Sequence, residues 1–323
     1  MTVKAWRQRT LNNTIRATGI GLHTGEHSTI ALRPAPPNTG IVFRRRDIAP
    51  RTLIHATLSN VADTDLGTTL AANGSGPSVA TVEHLLSALA GVGVDNLLID
   101  VHGPEIPIMD GSAAPFIFLL ESAGIRELAR ARRLIQVRRR VEVRDGDKWA
   151  RLEPYAGFRA EFTIDFDHPV FAAGRQSLSV DFTQRSYIKE ISRARTFGFL
   201  RDLEQLRARH RALGGSTDNA IVLDERGVVN RDGLRSPDEF VRHKLLDAVG
   251  DLYLLGCGLR GAYSACRSGH ALNVALLRAL LKDRDAWQEF TVEAPANPAG
   301  RASPHGTLDD GRVGPIGDPG YAA

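Results

Sequence analysis

The chain has 323 residues, 42% hydrophobic and 24% charged, with ten histidines but only two cysteines. At roughly 150 residues per domain that length points to two domains, each able to bury a core without disulfides or a structural metal. Two cysteines exclude a disulfide-dense secreted scaffold, and no apolar run reaches the ~18 residues of a membrane span. The net charge of +4 is slight; it suits an anionic substrate or a membrane surface but requires neither. Met1 to Arg9 lacks the apolar stretch of a secretory signal, so a cytoplasmic location is expected. With histidine so far in excess of cysteine, any metal is expected on imidazole and carboxylate rather than thiolate.

Along the chain, residues 1–60 read as short strands punctuated by Gly19, Gly21 and Gly25 and by Pro34, Pro36 and Pro37. Residues 78–91 read as a helix, with Ser78 as N-cap and Gly91 just past its end. A strand is predicted at 96–101 and a second helix over 112–123, closed by Gly124. An arginine-dense stretch over 126–151 marks a boundary near residue 128. Strands follow over 134–143, 148–153, 158–165 and 176–182. Helices are predicted over 199–211, 237–256 and 269–282, with a strand over 261–266 before the last. The two halves share this order, and Glu83-His84-Leu85-Leu86 through Gly91 resembles Arg242-His243-Lys244-Leu245 through Gly250, a weak sign of duplication. Residues 291–323, rich in Pro and Gly without apolar periodicity, read as a disordered tail.

Chemistry is expected mainly on two helices. In the first, Val82, Leu85, Leu86 and Leu89 form one apolar stripe, and His84 and Glu83 project away from it. Taken alone this is a solvated face, and the order is not the H-E-x-x-H of zincins. In the second, Ser236-Pro237-Asp238-Glu239 reads as a capping box. His243, Lys244, Asp247 and Asp251 share one polar strip at about 100° per residue. His243 and Asp247 are one turn apart, close enough to chelate one ion, although such pairs are also common on solvated faces. The apolar run at 252–255 argues that this helix lies deep, so its polar strip needs partners. His84 is a candidate third ligand. His270, opening the last helix, taken alone is a surface histidine whose cationic form the helix dipole disfavours. The Gly19-x-Gly21 pattern lacks the strand and helix of a dinucleotide site, and His23-Thr24-Gly25-Glu26-His27 reads as a structural turn.

Five separated segments then match a known family in order. They are Thr81-Val82-Glu83-His84-Leu85, Ile106-Pro107-Ile108-Met109-Asp110-Gly111-Ser112, Ser192-Arg193-Ala194-Arg195-Thr196-Phe197-Gly198, Phe240 through Asp247, and Arg267-Ser268-Gly269-His270. From about residue 7 to 290 the chain resembles the zinc-dependent UDP-3-O-acyl-N-acetylglucosamine deacetylases of lipid A biosynthesis. The resemblance implies an α+β fold of two similar domains from an internal duplication, 1–128 and 129–290, each a sheet on two helices with the active site between them. It implies one zinc ion per chain on His84, His243 and Asp247, and Glu83 as general base toward water. Thr196 would help stabilise the oxyanion. His270, held protonated by Asp251, would give a proton to the leaving amine, and the carboxylate would answer the dipole. For the substrate, Lys244 would meet diphosphate or developing charge, Asp165 and Phe166 the uridine, Lys148 the diphosphate and Phe197 the sugar. An insertion around 188–225 would take the acyl chain. Many relatives carry a cysteine within the stretch that here reads Asp65-Leu66-Gly67-Thr68-Thr69-Leu70; its absence leaves the three ligands intact. The expected partners are the acylated UDP-sugar and, transiently, the inner membrane surface, for a monomer that binds no nucleic acid. An amidohydrolase for another nucleotide sugar, an RNA binder using the 126–151 stretch, and a sugar-nucleotide-binding pseudoenzyme are the competing readings; the stretch has only Trp149 as an aromatic.

Overall fold

A computed structural model describes residues 6–49, 52–172 and 176–292. The first half is built on a five-stranded sheet of Ile15–Ile20 (β1), His27–Pro34 (β2), Ile41–Arg45 (β3), Leu53–His55 (β4) and, after a helix Glu83–Val92 (α1), Leu97–His102 (β5). Its strand order is β1-β2-β5-β3-β4, antiparallel throughout except for the parallel β5–β3 pair. Helix α2, Ala114–Ala123, follows β5 and packs on β1.

The second half repeats this plan. Its strands are Val141–Asp145 (β6), Lys148–Glu153 (β7), Phe158–Thr163 (β8), Ser177–Asp181 (β9) and, after helix Glu239–Leu252 (α3), Gly258–Cys266 (β10). They lie in the order β6-β7-β10-β8-β9, again antiparallel except for β10–β8. Helix α4, His270–Lys282, follows β10 and packs on β6 and β7. Along β10 the residues Gly261, Tyr263 and Ala265 are buried and those between are not, the period of two that a half-covered strand dictates. The fold is thus α+β, as the sequence implied.

Residue 128 falls within the strand Ile125–Ala131, which pairs antiparallel with Arg7–Leu11. Two further strands extend the second sheet: Arg133–Val137 pairs with the start of β10, and Trp287–Thr291 pairs with Arg133–Val137 at the edge. The last of these corrects the expected start of the tail. Thr291 is in the sheet and Val292 is buried, while 293–323 lie outside the described residues. Among the described residues no helix is long and apolar enough to cross a membrane.

Helices α1 and α3 cross in direct contact, and small residues make the approach possible. A side chain at Gly250 would have its Cβ 2.1 Å from the carbonyl oxygen of Glu83, and one at Gly91 would meet the Tyr187 ring at 2.1 Å. The Ser87 hydroxyl donates to the Leu246 carbonyl at 2.7 Å and shares a 2.8 Å bond with the Tyr187 hydroxyl. The first helix departs from expectation at both ends and on one face. Ser78 and Val79 pair with the strand Thr69–Ala71, and Thr81 takes a left-handed φ of 54°, so α1 starts at Glu83 rather than 78. Gly91 lies inside α1, and Gly93, at φ 76°, ends it. The face carrying Glu83 and His84, which the apolar stripe places toward solvent, is covered by α3 and buried.

The candidate metal and acid–base site

The crossing brings three expected ligands together. His84 comes from the first turn of α1, and His243 and Asp247 lie one turn apart on α3; all three are buried. One nitrogen or oxygen from each lies within 4.8 Å of the others. The Nε2 atoms of His243 and His84 stand 3.3 and 3.5 Å from the same Asp247 oxygen, Oδ1. Those separations match neighbouring ligands on one tetrahedral zinc with bonds of about 2.0–2.1 Å, whose edges are about 3.3–3.4 Å. The rest of the set is arranged for that use. His243 Nδ1 bonds the Ala194 carbonyl at 3.0 Å, which makes it the protonated nitrogen and leaves the Nε2 lone pair free. Burial, outweighing the pull of Asp247, lowers the His243 pKa to about 4, so its ring is neutral. Burial opposes charge on Asp247 too, but the Lys244 ammonium holds its carboxyl well below the usual range. Lys244 Nζ donates to Oδ2 at 3.0 Å and leaves Oδ1 for the imidazoles. The residues present fit a zinc ion.

Beside these ligands Glu83 and His270 face each other. Glu83 Oε1 is 3.9 Å from His270 Nε2, and Oε2 accepts the Thr68 N–H at 3.0 Å. Burial raises the Glu83 pKa against the opposing pull of His270 and His84. Behind His270, Asp251 Oδ2 meets Nδ1 at 2.9 Å. Burial disfavours the imidazolium, but Asp251, with help from Glu83 and Asp247, pushes its pKa up to about 9. Asp251 is fully buried and its oxygens are filled: Thr68 Oγ1 donates to Oδ1 at 2.7 Å and Asn273 Nδ2 to Oδ2 at 2.8 Å. Asn273 is itself fixed by the hydroxyls of Tyr263 and Ser268. Thr68 and Asn273 were not among the expected site residues, and no local pattern marks them. Thr68 meets Asp251 across 183 positions.

The predicted capping box at 236–239 does not form. The Glu239 carboxylate instead accepts the Arg195 N–H and Nε at 3.0 and 2.9 Å, Arg195 Nη2 at 3.1 Å and the Arg235 N–H at 2.6 Å. A buried guanidinium outbids the helix's own N–H groups for that carboxylate, because leaving it unpaired costs more than an unfilled cap. The pair clamps 194–196 onto the first turn of α3, and the Ala194 carbonyl thereby meets His243.

A cleft of about 670 Å³ opens above the ligands, lined by residues that include Thr196, Phe197, Lys244, Asp247, His270 and Phe166. It shares Leu66 and residues 196–199 with a mainly apolar passage of about 350 Å³, walled by Leu22, Leu203, Leu206, Val222 and Val229 among others. The helix Leu200–Ala208 and the pair of strands Phe197–Phe199 and Ile221–Leu223 build much of this passage. Its wall also includes His23, from the segment read as a structural turn. The turn is held by the buried Glu105 carboxylate, which accepts the His23 and Thr24 N–H groups. Thr196 is fixed at its backbone, donating to the Gly111 carbonyl at 2.9 Å. Phe197 stacks edge-on to His243, with ring centroids 6.3 Å apart. Asp165 and Lys148 stand apart from the cleft lining. Asp165 pairs with Arg267, which also pairs with Asp147 beside the exposed Lys148.

Comparison with known proteins agrees with this geometry. The family model described as LpxC, UDP-3-O-acyl N-acetylglycosamine deacetylase, matches residues 8–282. The UDP-3-O-acyl-N-acetylglucosamine deacetylases of Thioalkalivibrio sulfidiphilus and Methylococcus capsulatus are 59% and 58% identical over 287 residues, covering 89% of this chain and 94% of each relative. That of Coxiella burnetii is 54% identical over 290 residues, 90% of this chain and 95% of its own. With a match running through both halves and every element of the site, the chain belongs to the UDP-3-O-acyl-N-acetylglucosamine deacetylase family.

Proposed function

We propose that the chain hydrolyses the acetamide of UDP-3-O-acyl-N-acetylglucosamine to UDP-3-O-acyl-glucosamine and acetate, as a step of lipid A biosynthesis. The observation that carries this is a buried His84–His243–Asp247 group next to a Glu83–His270 pair, where the cleft above them meets an apolar passage. His84, His243 and Asp247 would hold one zinc ion, which when bound supplies Lewis acidity at the acetamide carbonyl and a lowered pKa for water. Glu83 takes a proton from the attacking water. The Thr196 hydroxyl donates to the carbonyl oxygen as it gains charge. His270 Nε2 gives its proton to the departing amine, while Asp251 on Nδ1 stabilises the cation and sets the ring's orientation.

The passage suits the 3-O-acyl chain, since its mainly apolar walls keep water from a hydrocarbon. Phe197 would pack on the glucosamine ring, Phe166 and Asp165 would engage uridine, and Lys148 and Lys244 the diphosphate or the charge developing nearby. The halves 1–128 and 129–290 are read as domains from one duplicated unit; their shared strand order and senses support this. The protein is placed in the cytoplasm as a monomer that touches the inner membrane transiently, consistent with a substrate whose lipid end resides there. Release of acetate from UDP-3-O-acyl-N-acetylglucosamine by the purified chain tests the reading, and no release with zinc supplied would overturn it.

The pH dependence follows from His270. With its pKa at about 9, the acid is protonated at neutral pH and is lost as pH rises through that value. An alkaline limb in kcat/KM is therefore expected near pH 9. Asp251→Asn removes the charge that raises the pKa, so the limb is expected to move down toward the ordinary histidine range near 6.5. A pH profile with the limb unmoved would contradict the role given to Asp251.

A further inference from the structure

Thr68 touches both sides of the acid–base pair. Its N–H donates to Glu83 Oε2 at 3.0 Å, its hydroxyl donates to Asp251 Oδ1 at 2.7 Å, and its Oγ1 is 3.3 Å from His270 Nδ1. Its carbonyl also accepts the Val82 N–H at 3.2 Å, just where α1 begins. With the 3.9 Å approach of Glu83 to His270, this closes a ring of Thr68, Glu83, His270 and Asp251 around the reacting groups. The residue is fully buried and belongs to neither helix, so its place depends on the segment leading into it.

That segment reaches the apolar passage. Leu66, two positions earlier, lines the passage and the cleft alike, is 46% exposed, and holds a left-handed φ of 62° that a leucine adopts only under constraint. Its carbonyl meets His23 Nε2, on the passage wall, at 3.3 Å. Upstream, Asp63 and Asp65 pair with Arg211 and Arg209, just beyond the helix that walls the passage. Gly67 lies between, where a Cβ would stand 3.1 Å from Glu83 Oε1. A short strap therefore has one residue exposed to whatever fills the passage and the next but one bonded to the base and to the carboxylate behind the acid.

We propose that Thr68 is a positioning residue that sets Glu83 and Asp251 relative to each other, and that the Leu66–Gly67–Thr68 strap makes this setting depend on occupancy of the passage. The inference rests on the acyl chain lying in that passage, as proposed above. An acyl chain against Leu66 holds the strap, and the strap holds the carboxylates. Chain length is then read in kcat as well as in KM.

The test is a cycle over substrate and side chain. Deacetylation of UDP-3-O-acyl-N-acetylglucosamines with long and short acyl chains is measured for the wild type, Thr68→Val and Thr68→Ser, each checked for zinc content and melting temperature. Thr68→Val keeps the shape and loses the hydroxyl. It is expected to lower kcat on the long-chain substrate by about 10–100-fold, the usual cost of removing such a support, with KM little changed. Thr68→Ser keeps the hydroxyl and is expected to recover most of that loss. The wild type is expected to show a higher kcat on the long chain, and that advantage is expected to shrink toward one in Thr68→Val. If Thr68→Val fails to fold, Thr68→Ala is measured in its place. An effect confined to KM would overturn the positioning role. The same long-to-short ratio in variant and wild type, or a wild-type kcat independent of chain length, would overturn the strap. A wild type that deacetylates neither substrate would instead overturn the function beneath it.

Discussion

Glu83→Gln is expected to lower turnover by about 10²–10⁴-fold, the usual worth of a general base, while zinc binding survives. Glutamine has nearly the same shape and can still accept the Thr68 N–H through its carbonyl oxygen, so α1 and its His84 should stay in place. What it cannot do is take a proton. The wild-type carboxylate is buried, and burial moves its pKa toward the working range of a base, with His270 opposing across 3.9 Å. The substitution also removes the negative charge that helps keep His270 protonated, so acid and base are weakened together. Steady-state kinetics with zinc analysis of the same sample checks this. Near-wild-type turnover at full zinc content would remove Glu83 from the mechanism.

Gly250→Ala is expected to destabilise the protein and to weaken metal binding, although alanine is the better helix former. Helix propensity favours alanine over glycine by about 1 kcal/mol. The new Cβ, however, would lie 2.1 Å from the Glu83 carbonyl oxygen and 2.8 Å from its carbon, both backbone atoms of the neighbouring helix. No rotamer relieves that contact, so α1 and α3 must separate, and overpacking of this kind costs about 1–3 kcal/mol or more. The crossing point is also where His84 of α1 meets His243 and Asp247 of α3, so separation pulls one ligand from the other two. Thermal melting and chelator competition check the two effects together. A melting temperature raised by the substitution would mean that the crossing is looser than described.

Parts of this site are legible in the sequence, and the boundary is physical. His243, Lys244, Asp247 and Asp251 fall on one strip because helical spacing alone puts them there, and α3 keeps that spacing. The paired strand-rich halves are legible through their shared order of strands and helices and the echo between Glu83–Gly91 and Arg242–Gly250. Local spacing misplaces Glu83 and His84, since a polar face opposite Leu85, Leu86 and Leu89 faces water unless another helix covers it, as α3 does through Gly250. The likeness of the two helices makes His84 a candidate third ligand beside His243, and the resemblance then joins them. Glu239 looks like a cap by position and becomes the anchor of Arg195, because a buried guanidinium is the stronger claimant. Thr68, Asn273 and Glu105 leave no mark in the sequence, because their partners are set by tertiary contact rather than by spacing.

The central claim is that one metal ion on His84, His243 and Asp247 is needed for deacetylation, and it is tested by titrating zinc into chelator-treated protein while following acetate release from UDP-3-O-acyl-N-acetylglucosamine. Activity is expected to be absent at first, to rise with zinc and to level off at one ion per chain, and to stay absent in Asp247→Ala at the same zinc levels. Full activity in the metal-free protein, or an unchanged titration in Asp247→Ala, would contradict it.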